Sequence, residues 1–320
     1  MYNLGIDLGG TNIAVGVVDE NYNIVGRGKV KTGVCKTEEE VVMGMAKAAK
    51  MAVEDAGLTL KDIAHVGVGS PGSVDTKNGI VLHSNNIRFK NLPMKAMLEK
   101  ELDNLPTYLD NDANAAAYGE MIAGAGKGAE NFIAITLGTG VGSGIVVDGK
   151  MLPGVNCAVG EMGHTVIVVG GEECTCGRKG CFEAYASATA LIRQAKRAME
   201  ADKSSKMWDA VGGDIEKVDG KVVFDSMHAG DETAKKVVDT YLEYVACGIT
   251  NIINTFQPEI LCIGGGISNQ GEVILAPIRE YVKKYRYSQD LPNQTVIKTA
   301  ELGNDAGIIG AALLYKLYEK

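Results

Sequence analysis

The stretch Leu4-Gly5-Ile6-Asp7-Leu8-Gly9-Gly10-Thr11-Asn12-Ile13-Ala14-Val15-Gly16-Val17-Val18 decides how the chain is read. Two apolar runs, Leu4 to Leu8 and Ile13 to Val18, are separated only by Gly9-Gly10-Thr11-Asn12, the pattern of an antiparallel hairpin with a tight turn. A third run, Ile24 to Val30, follows the turn Asn21-Tyr22-Asn23. Consecutive glycines in such a turn let backbone N–H groups point at a phosphate, and Thr11 adds a hydroxyl. Asp7, at a strand end, suits Mg²⁺ held through water, because that ion keeps much of its hydration shell. The plainer alternative is a hairpin whose glycines only satisfy positive φ.

Outward from this unit, Glu38 to Ala56 carries Val41, Val42, Met45, Ala48, Ala49, Ala52 and Val53 at helical spacing. Ile63 to Val68 reads as a buried strand ending in Gly69-Ser70-Pro71-Gly72, and Leu105 to Leu109 leads into Asn111-Asp112 and an alanine-rich helix, Ala113 to Ala123. The opening theme then returns: a strand, Phe132 to Leu137, a glycine loop, Gly138 to Gly144, and a strand, Ile145 to Val147. Long helices are expected at Glu183 to Met199 and Glu232 to Asn254, a short strand at Ile260 to Ile263 before Gly264-Gly265-Gly266, and a final helix at Ala306 to Tyr318. Ala201 to Asp231 lacks clear periodicity, and Asp214 to Phe224 reads as a surface insertion. This coarse duplication predicts a two-domain α/β enzyme with a nucleotide between the halves.

Bulk properties agree. At 320 residues the chain exceeds the size at which single cores stop growing, and 46% hydrophobic with 22% charged residues describes an ordinary globular protein. Its 41 glycines suggest several loops built for close backbone approach. A net charge of −8 without a basic run argues against a nucleic-acid partner. No membrane span is expected, since Asn131 to Val147 is interrupted by glycines. Seven cysteines without a secretory pattern point to a reducing cytoplasm, with Cys35, Cys157, Cys247 and Cys262 as small core residues.

Three further motifs carry chemistry. Leu137-Gly138-Thr139-Gly140-Val141-Gly142-Ser143-Gly144 is a second phosphate-type loop, with neither the Walker lysine nor the following helix of a dinucleotide fold. Leu109-Asp110-Asn111-Asp112-Ala113-Asn114 sits at a strand-to-helix junction, where aspartate and asparagine commonly cap. A helix start is expected to lower a carboxylate's pKa, yet an ionised aspartate suffices to orient a hydroxyl in phosphoryl transfer. His164, Cys174, Cys176 and Cys181 have the ligand mix and short spacing of a tetrahedral, structural Zn²⁺ site. Glu161 and Glu183 flank it, so a metal there would aim both carboxylates and the histidine.

Taken together, these motifs resemble the ROK (repressor, open reading frame, kinase) family, most of all its glucokinases, essentially from end to end. The resemblance rests on Asp7 to Asn12, Ser70-Pro71-Gly72, Leu109 to Asn114, Leu137 to Gly144, Gly160-Glu161-Met162-Gly163-His164, Cys174 to Glu183 and Gly264-Gly265-Gly266-Ile267-Ser268. Ser84-Asn85-Asn86 stands where many members have Ala-Pro-Asn. The resemblance implies two RNase H-like domains around a central cleft, as in actin, hexokinase and Hsp70. The expected division is a small domain at 1–110, joined by the C-terminal helix 304–320, and a large zinc-bearing domain at 111–303.

The resemblance further implies transfer of the ATP γ-phosphoryl group to the 6-hydroxyl of glucose. Asp112 would be the base, and Gly72, Asn86, Asn111, Glu161, His164 and Glu183 sugar ligands, with His164 shared between zinc and sugar. Asp7, Gly9, Gly10, Thr11, Asn12, Gly138, Thr139, Gly140 and Gly142 would hold phosphates and Mg²⁺, and Gly264, Gly265 and Gly266 would face the adenosine. A homodimer or homotetramer follows from the same likeness. The alternatives are a kinase for N-acetylmannosamine, N-acetylglucosamine, fructose or allose, and a sugar-responsive repressor. The repressor reading is disfavoured because the nucleotide turn begins at residue 7, leaving no room for a preceding DNA-binding domain.

Overall fold

A computed structural model describes every residue except Lys36, Asn85, Asn86, Arg88, Pro153, Ala158 and Lys320, and the side chain of Val34. Along the chain run β1 (Tyr2–Leu8), β2 (Asn12–Val18), β3 (Ile24–Lys31), α1 (Glu38–Asp55), β4 (Ile63–Ser70), β5 (Ser73–Asp75), β6 (Ile80–Ser84), β7 (Phe89–Leu92), α2 (Met94–Glu101), β8 (Thr107–Asn111) and α3 (Asp112–Ala123). Then follow β9 (Phe132–Leu137), β10 (Val141–Val147), β11 (Lys150–Met151), α4 (Glu183–Ala186), α5 (Ala188–Ala201), α6 (Met207–Ala210), α7 (Gly220–His228), α8 (Glu232–Phe256), β12 (Ile260–Gly264), α9 (Glu272–Tyr285), β13 (Val296–Thr299), α10 (Ala306–Ala312) and α11 (Tyr315–Tyr318).

The duplication is visible in the strand orders. One sheet runs β3-β2-β1-β4-β8 and the other β11-β10-β9-β12-β13: a three-strand meander followed by two later strands. In the first sheet β1, β2 and β3 are antiparallel, whereas β4 and β8 join parallel, so Asp7 lies level with Ala14 and Gly69. A small sheet, β5-β6-β7, is appended. Compact units comprise residues 1–134, 143–160 and 300–320 on one hand, and 135–142 and 161–299 on the other.

In the first unit, Thr37 caps α1 through Glu40 N, three glutamates occupy its first turn, and Val41, Val42, Met45, Ala48, Ala49 and Ala52 face the sheet. They meet Ile13, Val15 and Val17 in one core, where each large side chain contributes roughly 1.5–3 kcal/mol on burial. α10 packs against β1, β4 and α3. A Cβ on Gly5 or Gly67 would lie 1.8 Å from Ile308 O or 1.7 Å from Ala311 O, and one on Gly310 would lie 1.7 Å from Ala115 O. Many glycines therefore serve close helix packing inside the elements, and not only the loops that composition suggested.

The second unit is built on α8, whose buried stripe includes Val238, Tyr241, Val245, Ile249, Ile252 and Ile253. The Tyr241 hydroxyl donates to Ala186 O at 2.7 Å. Four expectations need correction. The second glycine loop is shorter than Gly138 to Gly144, because β10 begins at Val141; Gly144 is strand, and its missing Cβ admits Ala117 and Ala113 O. The helix expected from Glu183 to Met199 breaks at Ser187, whose extended backbone and hydroxyl cap α5 through Ala190 N. The Asp214 to Phe224 segment is exposed at most of its first positions, but its end is not surface: α7 packs on α8 and buries Val223 and Phe224. The final helix is two pieces, α10 and α11. Of the four cysteines read as core, Cys262 is buried and Cys35, Cys157 and Cys247 are half-buried.

Candidate functional site

In the first unit, the β1–β2 turn is tied by Gly9 N donating to Asn12 O at 3.0 Å and by the Thr32 hydroxyl donating to Gly9 O at 2.7 Å. Neither Gly9 nor Gly10 has positive φ, so the plain hairpin explanation for these glycines fails. A Cβ on Gly10 would meet nothing within 4 Å. Neither backbone conformation nor internal packing demands glycine there, and a bare amide edge is left for a ligand to approach.

Asp7 is the last residue but one of β1, with Gly307 of α10 packed so closely that a Cβ there would lie 3.1 Å from its carboxylate. Burial, and then the charge of nearby Asp112, push the Asp7 carboxyl up to about 6. Two acidic groups this close favour either a proton or a cation between them.

At the β8–α3 junction Asn111 is the N-cap: its Oδ1 accepts from Ala113 N at 2.9 Å and Asn114 N at 3.3 Å, while its Nδ2 donates to Gly72 O at 3.0 Å. Gly72 has φ +96°, and a Cβ would lie 2.1 Å from His83 O, so glycine is structurally required there. Asp112 is the first residue of α3 and accepts from Ala113 N at 2.9 Å. Its carboxyl is nevertheless raised: burial outweighs the backbone hydrogen bond and the Asn111 amide. The expectation that a helix start would lower it is thus corrected, since desolvation of the charged form is the larger effect. Asn86, expected to contact sugar, lies outside the described residues, as does Asn85.

In the second unit, Gly138 N donates to Gly140 O at 3.0 Å, closing a tight turn between β9 and β10. Ala188 N donates to Gly138 O at 2.8 Å, and the Thr189 hydroxyl to Thr139 O at 2.9 Å, so the head of α5 fixes the loop. A Cβ on Gly138 would also meet nothing within 4 Å. Gly265 (φ +90°) packs on Leu137, with a hypothetical Cβ 2.4 Å from its carbonyl oxygen; the two glycine loops are therefore adjacent.

His164, Cys174, Cys176 and Cys181 converge so that their ligand atoms all lie within 4.8 Å of one another. Cys174 Sγ is 3.6 Å from His164 Nδ1, and Cys176 Sγ is 3.6 Å from Cys181 Sγ. A tetrahedron with ordinary Zn–S and Zn–N bond lengths has edges of about 3.8 Å between sulfurs and about 3.5 Å between sulfur and nitrogen. The donor set fits. Burial, followed by the neighbouring thiols, pushes the Cys181 thiol up to about 12, so loading a metal must displace its proton. Glu183 Oε2 accepts from Val141 N at 3.0 Å, and its Oε1 accepts from the Thr175 hydroxyl at 3.2 Å. Glu161, exposed, caps the short turn Met162–His164, its carbonyl accepting from His164 N at 3.1 Å.

Two groups escaped the reading of the sequence. Glu120, buried in α3, accepts from Ala125 N at 3.0 Å, Glu301 N at 3.0 Å and Leu302 N at 2.7 Å; a lone carboxylate in an alanine-rich helix was the available signal. Tyr318 reaches Asp110 from 208 residues away, and nothing in its neighbourhood along the chain marks it. Among the described residues no helix is long and apolar enough to cross a membrane.

The chain is 38% identical to a glucokinase of Halalkalibacterium halodurans over 99% of this chain and 95% of that protein. It is 38% identical to one of Thermotoga maritima, over 98% and 96% respectively. Among solved structures, a ROK family glucokinase from Streptomyces griseus in complex with glucose and AMPPNP is similar, with 36% identity, a TM-score of 0.83, and 98% of this chain and 99% of that chain covered. The fold is thus α/β of the actin/hexokinase-like kind. The ROK family model matches residues 3–317, and the chain belongs to the ROK family.

Proposed function

We propose that this chain is an ATP-dependent hexose kinase that transfers the γ-phosphoryl group of ATP to the 6-hydroxyl of glucose. The observation that carries the reading is Asp112: a carboxylate raised by burial at the β8–α3 junction, in a chain alike from end to end to proteins named glucokinase. In the proposed reaction Asp112 orients the 6-hydroxyl and takes its proton as that oxygen bonds to the γ-phosphorus and the bond to the ADP oxygen breaks. A loose transition state asks little basicity of this group, and its raised pKa makes the late proton transfer easier.

Gly72, Asn86, Asn111, Glu161, His164 and Glu183 are the proposed partners of the sugar hydroxyls. His164 presents Nδ1 to the thiols, which leaves Nε2 for sugar. The phosphates are assigned to the loops Gly9 to Asn12 and Gly138 to Gly142, and the adenosine to Gly264 to Gly266. Asp7 is the proposed anchor for Mg²⁺, which would neutralise charge on the phosphates. His164, Cys174, Cys176 and Cys181 would hold Zn²⁺, whose part is to fix the segment between Glu161 and Glu183. The chain is proposed to work in the cytoplasm as a homodimer or homotetramer.

The test is ADP release measured across a panel of hexoses. The highest kcat/KM is expected with glucose. A higher value with N-acetylmannosamine, N-acetylglucosamine, fructose or allose would overturn the glucose assignment, and absence of turnover with every hexose would overturn the kinase.

A further inference from the structure

Asp110 is 3% exposed, and the groups that act on its charge are Tyr318, Asn114 and Asn111, with no cation among them. Such a carboxylate is costly unless each oxygen is hydrogen-bonded. Its Oδ1 accepts from Asn111 N at 2.6 Å and from Asn114 Nδ2 at 2.9 Å. Its Oδ2 accepts from the Tyr318 hydroxyl at 2.5 Å. The first two donors belong to the cap of α3, which carries Asn111 and Asp112; the third comes from α11. Burial, then the adjacent Asp110 charge, raise the Tyr318 hydroxyl, so it remains a donor through the neutral range.

α11 is itself held in place independently. The Tyr315 ring stacks on His65 at 4.4 Å and 8°. His65 Nε2 lies 3.5 Å from Glu319 Oε1, and its Nδ1 lies 3.0 Å from Asn3 Oδ1. The Tyr318 hydroxyl is therefore presented from a seated element and not from a wandering side chain.

We propose that Tyr318 is a positioning residue for phosphoryl transfer, acting through Asp110 to fix the Asn111–Asp112 corner. The inference rests on the reading of Asp112 as base. Without the hydroxyl, buried Oδ2 loses the one donor the Tyr318 side chain supplies. The carboxyl must then turn or take a proton, and either change weakens its hold on Asn111 N and Asn114. A base displaced by a fraction of an ångström loses turnover more than ground-state affinity.

The experiment uses the full chain. Tyr318→Phe is expected to lower kcat about tenfold while the glucose KM stays within about twofold, as misplacement of a reacting group predicts. Asp110→Asn should do the same, and the double variant should be no worse than either single one, because both remove one linkage. Tyr315→Phe, which keeps the ring on His65, should retain wild-type kcat. Hydrogen exchange supplies a readout independent of turnover: amides of residues 111–115 should exchange faster in Tyr318→Phe, with those of β1 and β4 unchanged. Should wild type phosphorylate no hexose, the kinase reading falls while the exchange data still decide the linkage. Wild-type kcat in Tyr318→Phe, additive single variants, or unchanged exchange at 111–115 would each overturn the proposal.

Discussion

The carboxylate of Glu183 accepts the backbone N–H of Val141 at 3.0 Å, and so joins a residue two positions after Cys181 to the start of β10, at the end of the glycine loop. Its other oxygen takes the hydroxyl of Thr175, from within the cysteine-rich segment. One side chain thus couples two motifs that are 42 residues apart in sequence. A bond from a charged acceptor of this kind contributes about 1.5–3 kcal/mol. The same contact explains Gly140, where a Cβ would fall 2.4 Å from Glu183 Oε2.

Gly140→Ala should therefore displace Glu183, lowering stability and raising the KM for both glucose and ATP. Gly10→Ala and Gly138→Ala should behave differently, since a Cβ at either place meets no protein atom within 4 Å. Their unfolding free energies should stay within about 0.5 kcal/mol of wild type. Only the KM for ATP should rise, by about tenfold, equivalent to about 1.4 kcal/mol. Urea unfolding together with steady-state kinetics separates the cases; an unchanged ATP KM in Gly10→Ala would remove the phosphate role of that turn.

Asp112→Asn should keep glucose affinity, by calorimetry, within a few-fold of wild type and lower kcat by about 10²–10⁴, the span a positioned base supplies. Burial raises the wild-type carboxyl. The base is active when ionised, so kcat falls as pH drops through the folded pKa. The acid limb should then lie above the ordinary carboxylate range of about 4. A limb at or below that value would show that the helix start and not burial controls Asp112.

Metal analysis should give about one zinc per chain, and close to none in Cys176→Ser, since a structural tetrahedral site tolerates no missing ligand. Loading should release protons, because Cys181 is protonated near neutrality in the free site. Calorimetric titration of zinc in two buffers of different ionisation enthalpy measures that release. Identical enthalpies would count against it.

Much of this was legible in the sequence because short-range patterns encode it. Alternating apolar runs around Gly9-Gly10 specify the hairpin, and the close spacing of three cysteines and a histidine specifies a converging ligand set. What was not legible depends on partners distant along the chain. Gly144 looks like loop in sequence, yet it lies in strand β10, and it is glycine because Ala117 of α3 occupies the space a Cβ would need. Phe224 looks like part of an insertion until α8 covers it. Asp112 looks like a cap with a depressed pKa, and only its enclosure by the fold reverses the sign. The contact from Tyr318 to Asp110 has no local signature at all.

The last prediction concerns Asp7, whose folded carboxyl is raised from 3.8 to about 6. Between those values the native state binds more protons than the unfolded chain, so stability falls as pH rises through that window. Above about pH 6 the whole cost of ionising a buried acid beside Asp112 is present; below about 4 it is absent. A rise of that size corresponds to roughly 3 kcal/mol, an upper bound for a half-buried group. Asp7→Asn should therefore stabilise the metal-free protein at pH 8 by up to that amount, with the gain shrinking toward pH 4. Urea unfolding in chelator at pH 8, 6 and 4 checks the sign. The same variant should lose Mg²⁺-dependent turnover, so stability gained and activity lost in one substitution would mark Asp7 as a site strained for cation binding. A variant less stable than wild type at pH 8 would show instead that Asp7 is ionised at no cost in the folded chain.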